Sequence, residues 1–181
     1  MGGNDLLKGL RVIENSLLGP GLVGTFLSDL GAEVIKVESP SGDYIRQMTW
    51  PIIQGDSLLH LHTHRGKRSI AINLKDEDGA EIYRNLLGET DVVVEAMRPG
   101  TLERLGFGFD ELLKINPKIV FCTVSGYGAT GPYRDLPSHG IAYDTWAGLI
   151  EPVVDEDGFK RIPSMPNIGI NVGPMLAALG I

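Results

Sequence analysis

The sequence predicts an α/β fold: a doubly wound, mostly parallel sheet with helices on both faces. Three observations carry this. Short runs rich in Val and Ile alternate with longer amphipathic runs. The apolar runs are continuous, as in strands buried on both faces. The segments joining them are long enough for the helical crossovers that parallel strands require. Right-handed crossovers then give a Rossmann-like sheet, whose ligands sit at the carboxyl ends of the strands.

The elements follow in order. "LRVIEN" (10–15) reads as a strand, "GLVGTFLSDLG" (21–31) as a helix closed by Gly31, and "EVIKVES" (33–39) as the next strand, which together make one βαβ unit. "SIAINL" (69–74) is a strand, "DEDGAEIYRNLL" (76–87) a helix, "DVVVEAM" (91–97) a strand, "TLERLGFGFDELLKIN" (101–116) one helix, and "IVFCTVSGYG" (119–128) a strand. The closing "NVGPMLAALGI" (171–181) has the small and apolar residues of a buried helix, with no C-cap and no evident partner in the sequence. The expectation is a single domain over 1–181 that is either a fragment or one of two polypeptides that complete each other.

At 181 residues, 43% hydrophobic and 22% charged, the chain can bury a sizeable core. A net charge of −7 argues against coating nucleic acid or an anionic membrane through the overall field, so neither is expected as a partner. The single cysteine, Cys122, excludes an internal disulfide and, inside "KIVFCTV", reads as packing rather than as a nucleophile. No basic start leads into an apolar stretch and no long apolar run occurs, so a cytoplasmic location is expected.

Two basic clusters, "HRGKRS" (64–69) and "MRPGTLERLG" (97–106), fall at element ends. For any single Lys or Arg a solvated surface is the plainer reading, but two clusters in an acidic chain point to a bound polyphosphate. "LLGPGLVG" (17–24) has glycines at 19, 21 and 24, yet Glu38 is the sole acid placed for a ribose and its surroundings are not distinctive. No P-loop lysine signature occurs. His60, His62 and His64 would share one face of an extended segment, but no cysteine or carboxylate is expected to complete a site there, so no metal is expected.

"LKGLRVIEN", "DLGAEVIKVE", "GKRSIAINLK" and above all the block from Asp91 to Tyr133 occur in the order and spacing of the class III CoA-transferases, and from about Leu7 onward the chain resembles that family. α-Methylacyl-CoA racemase belongs to the same superfamily. The resemblance implies coenzyme A as a substrate rather than a tightly bound cofactor, with an acyl-CoA and a carboxylic acid as reaction partners. It also implies two interlocked subunits. Members are longer, with a smaller second domain and a return segment beyond the portion matched here.

The resemblance also assigns residues. Ala96 and Met97 in "VVEAMRPG" replace the family's asparagine and phenylalanine along CoA, Arg104 and Leu105 match CoA contacts, Lys67 and Arg68 match its "NKRS", and Tyr127 matches an aromatic near the thioester. Ala96 removes an amide and one hydrogen bond. The shorter "VIENSLLGPG" alters the lining of the acyl pocket, to which 47–64 adds moderately apolar residues.

Two chemistries then compete. The transferases use an aspartate as nucleophile, and Asp157 in "AGLIEPVVDEDGFKRIP" takes that role, although "DEDG" also reads as a hairpin turn in which Asp155 and Asp157 serve the turn itself. "SHGIAYDTWAG" overlays the racemase motif, which makes His139 an α-proton base, with Tyr143 and Gly148 also matched. Inversion needs a second acid on the opposite face, and "NIGINVGP" (167–174) supplies none, while Gly140 stands where the motif has aspartate. The transferase reading is preferred, with Asp157 as nucleophile and His139 orienting or polarising the acyl group. A racemase, and a CoA-binding module or subunit inactive alone, remain as alternatives.

Overall fold

β1 (Arg11–Asn15) runs through a 3-10 turn (Gly19–Gly21) into α1 (Leu22–Asp29) and on to β2 (Glu33–Glu38), which pairs parallel with β1. The computed structural model describes residues 6–137, 139–163 and 168–181. A long excursion follows: a 3-10 turn (Tyr44–Gln47), a hairpin of β3 (Ile52–Ile53) and β4 (Asp56–Ser57), and α2 (Leu58–Thr63). β5 (Arg68–Ala71), α3 (Glu77–Gly88), β6 (Val92–Glu95), α4 (Thr101–Arg104), α5 (Phe109–Ile115) and β7 (Val120–Thr123) complete the alternation. Beyond it lie α6 (Gly140–Trp146), a hairpin of β8 (Val153–Val154) and β9 (Lys160–Arg161), and α7 (Ile168–Gly180).

The large sheet has the order β5-β2-β1-β6-β7, and every pair in it is parallel. From β1 the chain first builds outward on one side, then returns to add β6 and β7 on the other. The order therefore reverses between β1 and β6, and the carboxyl ends of those strands open the crevice where such sheets bind ligands.

Alternation along the strands splits the core in two. Val12, Val34, Val92 and Val94 face α1, packing with Val23 and Leu27. Ile13 and Val93 face the other way, onto Tyr83, Leu87, Leu102, Phe107 and Leu112 from α3 to α5. Both faces are covered, which is why the strands read as continuous apolar runs.

Three local expectations are corrected. The helix over 101–116 is two helices, because Gly106 takes a left-handed φ of 86° and turns the fully buried Phe107 into the core before Gly108 opens α5. The histidine segment is helical rather than extended, so His60 and His64 share one face, one turn apart, and His62 lies off it. The last helix does have partners within the chain: α7 packs on α1, α6 and the first 3-10 turn, with Ala177, Ala178 and Ile181 extending the second core. Glycines permit this approach. A Cβ at Gly19 or Gly140 would lie 2.5 or 2.2 Å from the Ile170 side chain. The opposite face of α7, with Val172, Met175, Leu176 and Leu179, is exposed. Asn167, at the start of the acid-free 167–174 stretch, is outside the described residues.

Candidate functional site

A cleft of about 670 Å³ opens at the carboxyl ends of β6 and β7, between the turn into α4 and the loop after β7. Buried Val92 to Val94 fix β6, so the next residues must emerge at the sheet edge. Glu95 lines the cleft almost wholly buried; burial raises its pKa, and a hydrogen bond from the Met97 N–H at 3.1 Å opposes that rise. Ala96 donates its N–H to the Asn15 carbonyl at 3.1 Å, bridging the two strands at the reversal point. Met97 and Leu105 pack onto the first core and support the wall. Arg104 ends α4 exposed, donating to the Thr101 hydroxyl at 2.9 Å. Ala96 and Met97 thus lie in the turn that leaves β6, Arg104 at the end of α4 and Leu105 just after it.

Tyr127 sits in the loop after β7 within an aromatic group that sequence reading missed. Its ring centroid lies 5.7 Å from Tyr143, 5.8 Å from Trp146 and 6.4 Å from Tyr133. The same loop sends Ala129 and Arg134 to the cleft.

Lys67 and Arg68 part company. Arg68 pairs with Glu33 at 2.8 Å on the α3 side of the sheet, whereas Lys67 turns to the α1 side and is buried, 2.6 Å from Glu14. Lys67 also donates to the Gly21 carbonyl and contacts His64 Nδ1 at 3.2 Å. Burial pushes the Lys67 ammonium down and the Glu14 carboxyl up, and their mutual attraction opposes both shifts.

That ion pair belongs to a larger buried network. Lys36 Nζ lies 2.6 Å from Asp43, 3.1 Å from His64 Nε2 and 2.8 Å from the Ser16 carbonyl, while His64 Nε2 is 3.1 Å from the same Asp43 oxygen. Burial, reinforced by the two lysines, lowers His64 to about 4 although Asp43 pulls the other way, so the ring is neutral at pH 7. One tautomer fits: Nε2–H donates to Asp43 and Nδ1 accepts from Lys67. Burial alone would raise Asp43, but bonds from His64, Lys36 and the Ile45 N–H outweigh it and hold the carboxyl well below its ordinary range. Contrary to the expectation that no carboxylate joins the histidines, the fold brings Asp43 to His60 and His64, with donor atoms within 4.8 Å of one another, but the Lys36 ammonium is already in contact with two of the three. The signal for this network was present in the sequence. Glu14 and Lys36 share the strand face of Val12 and Val34, where a charge must be buried and therefore paired.

The expected catalytic pair is peripheral. His139 precedes α6 in extended conformation, exposed, and its side chain does not cap the helix. Asp157 is exposed in the β8–β9 turn. The turn chemistry belongs to Asp155, which accepts from the N–H groups of Asp157 at 3.1 Å and Phe159 at 2.8 Å and pairs with Arg161. No contact joins His139 to Asp157 among the described residues.

The comparison that assigns a family is with sequence profiles: that of CoA-transferase family III matches residues 7–181. The chain belongs to this family. It is 43% identical over 147 residues to the succinyl-CoA–L-malate CoA-transferase beta subunit of Chloroflexus aurantiacus, covering 76% of this chain and 36% of that protein. It is 40% identical over 169 residues to the succinyl-CoA:glutarate CoA-transferase of Mus musculus, covering 92% and 39%. Among solved structures, a CAIB/BAIF family protein from Brucella suis superposes with a TM-score of 0.87 at 33% identity, over 96% of this chain and 47% of that one. The chain thus spans less than half the length of each. No helix of the described residues is long and apolar enough to cross a membrane.

Proposed function

We propose that this chain is the CoA-binding portion of a CoA-transferase, which moves CoA between an acyl-CoA thioester and a carboxylic acid. The observation that carries the reading is the cleft at the ends of β6 and β7. Gly100 lines it, with the guanidinium of Arg104 against that glycine, and the loop after β7 that carries Tyr127 also reaches it through Ala129 and Arg134; the family resemblance places Arg104 along CoA and Tyr127 near its thioester, at the sheet edge where such folds bind ligands.

In this reading Asp157 is the nucleophile. Its carboxylate adds to the thioester carbonyl and the CoA thiolate leaves, giving an acyl–aspartyl anhydride. The thiolate then attacks the aspartyl carbonyl and releases the first acid. The acceptor carboxylate attacks the resulting aspartyl thioester, and the thiolate returns to the acceptor acyl carbon, freeing Asp157. A carboxylate does this only where water is excluded, and Asp157 is exposed in this chain. A further polypeptide portion or a second, interlocked subunit therefore covers it. The exposed Trp146, Val154 and Phe159 and the apolar face of α7 supply the surface for that contact.

Calorimetry of CoA against the chain tests the binding half: saturable binding is expected, and none would overturn it. In the assembled enzyme, Asp157→Ala is expected to lose CoA transfer by several orders of magnitude together with the hydroxylamine-trappable acyl enzyme, and His139→Ala to lose less. Solvent deuterium uptake at the α-carbon that needs His139 but not Asp157 would make the enzyme an isomerase instead.

A further inference from the structure

Gly100, with a left-handed φ of 77°, lies under two guanidinium groups from different parts of the chain. A Cβ placed on it would lie 3.2 Å from Arg104 Nη1 and 3.6 Å from Arg134 Nη2. Arg104 comes from the end of α4 and Arg134 from the loop after β7, so two side chains from different elements approach the same point beside Gly100, which with Arg134 lines the cleft. Convergence of like charges is costly unless something negative sits between them.

The chain itself provides little for that purpose. Among the described residues Arg104 donates to a neutral hydroxyl, that of Thr101, and Arg134 has only its neighbour Asp135 at 3.5 Å, with both side chains exposed. The arginines at 11, 46, 65, 68 and 161 behave differently: each has a carboxylate in hydrogen-bonding contact. Glu103, 3.9 Å from the same Cβ point, is the nearest negative group, and Glu95, Asp110 and Glu111 line the cleft farther along. Glu95, Asp110 and Glu111 repel an anion elsewhere in the cleft, whereas at Gly100 two guanidinium groups outnumber the single Glu103 carboxylate, which favours this spot for a phosphate. Glycine at 100 leaves the space open.

We propose that Arg134 and Arg104 form a phosphate clamp over Gly100 that holds a phosphate of CoA, and that Arg134 is a binding residue of the reaction. The proposal rests on the CoA-binding reading above. A guanidinium pair suits a phosphate because each can donate two parallel hydrogen bonds to its oxygens. CoA carries both a ribose 3′-phosphate and a pyrophosphate, and the shared chemistry is an anionic phosphoryl group.

The experiment is calorimetric titration of wild type, Arg134→Ala, Arg104→Ala and the double variant with CoA and with dephospho-CoA, which lacks the 3′-phosphate. Each single variant is expected to weaken CoA binding by about tenfold, the loss of one charge-assisted contact. The double variant should bind no more than about threefold more weakly than the worse single one, because the two arginines share one ligand group. Arg134→Lys should recover part of the loss, and the CoA affinity of Arg134→Ala should fall less steeply with salt. If Arg134→Ala affects CoA but not dephospho-CoA, the clamped group is the 3′-phosphate; if it weakens both equally, it is the pyrophosphate. Wild type binding CoA while Arg134→Ala binds both ligands within twofold of wild type overturns the clamp and leaves the functional reading intact. Wild type failing to bind CoA overturns the reading on which the clamp rests.

Discussion

On the α1 side of the sheet, Glu14, Asp43 and Glu38 are buried and each is matched by a cation: Lys67, Lys36 and Arg46. Across the reversal point, Arg104 and Arg134 stand half in solvent with no such match. The first arrangement is complete in itself. Every charge taken from water there needs its partner, so the network fixes the long 39–67 excursion against the sheet and has no cation to spare for a ligand. The second is incomplete, and in the proposed clamp it is the ligand that completes it. Lys67 and Arg104 both lie in basic motifs, yet their partners rather than their motifs decide what each can do.

The comparison breaks most decisively at Lys67. Lys67→Ala leaves the Glu14 carboxyl buried without its counter-ion and deprives the Gly21 carbonyl and His64 Nδ1 of a donor. A loss of about 3–5 kcal/mol is expected in urea unfolding, against about 0.5 kcal/mol or less for Arg104→Ala. Equal losses would mean that the two regions do not differ as described.

Acid sharpens the same contrast. His64 in the folded chain titrates at about 4, against an unfolded value near 6.5. Between those values the unfolded chain binds a proton that the folded chain refuses. Stability is therefore full above about pH 6.5 and falls toward pH 4, by about 3 kcal/mol in all from this group. Asp43 acts in the same direction at lower pH: its depressed carboxyl stabilises the fold above the ordinary carboxylate range, and that contribution is lost as protonation is forced. His60, lowered by burial, adds to the slope. His64→Gln should flatten the fall in unfolding free energy between pH 7 and 5. An unchanged slope would show that the acid sensitivity lies outside the network.

A smaller effect is expected away from both regions. Buried Asp144 in α6 accepts from the N–H groups of Ile168 at 3.0 Å and Gly169 at 2.8 Å, capping α7 from another helix. Asp144→Ala should cost about 1–2 kcal/mol and speed amide exchange in the first turn of α7, with little change in CoA affinity. Exchange accelerated equally in α3 would mean that the loss is global rather than a lost cap.

The sheet was legible because continuous Val and Ile runs can form little else when separated by helix-length segments; its strand order and register were not read from the sequence. The excursion from 39 to 67 was not. Its hairpin strands have two residues each, too few for periodicity, and α2 is held by long-range contacts such as Ser57 to the Ile45 carbonyl. The break at Gly106 was hidden because an apolar helix-like pattern runs straight through it. The candidate residues from Ala96 to Leu105 could be read together, since β6, the turn and α4 are consecutive in sequence. Arg134 could not, because it reaches Gly100 only through the fold.

Arg68 provides the finest test of whether motif or partner governs. It stands next to Lys67 in the same basic motif, and the family resemblance assigns both to CoA. Alternation along the strand sends it to the opposite face of the sheet, where it pairs with Glu33, itself shared with Arg11. Glu33 keeps Arg11 if Arg68 is removed, so no charge is stranded, and the pair is exposed enough for water to replace what is lost. Arg68→Ala should therefore lower the unfolding free energy measured in urea by no more than about 0.2–1 kcal/mol. CoA affinity should stay within about twofold of wild type, far short of the loss for a charge-assisted phosphate contact. A tenfold loss of CoA binding at Arg68, with stability unchanged, would mean that CoA is recognised on the Glu33 face, and the functional contrast between the two sides of the reversal point would have to be redrawn.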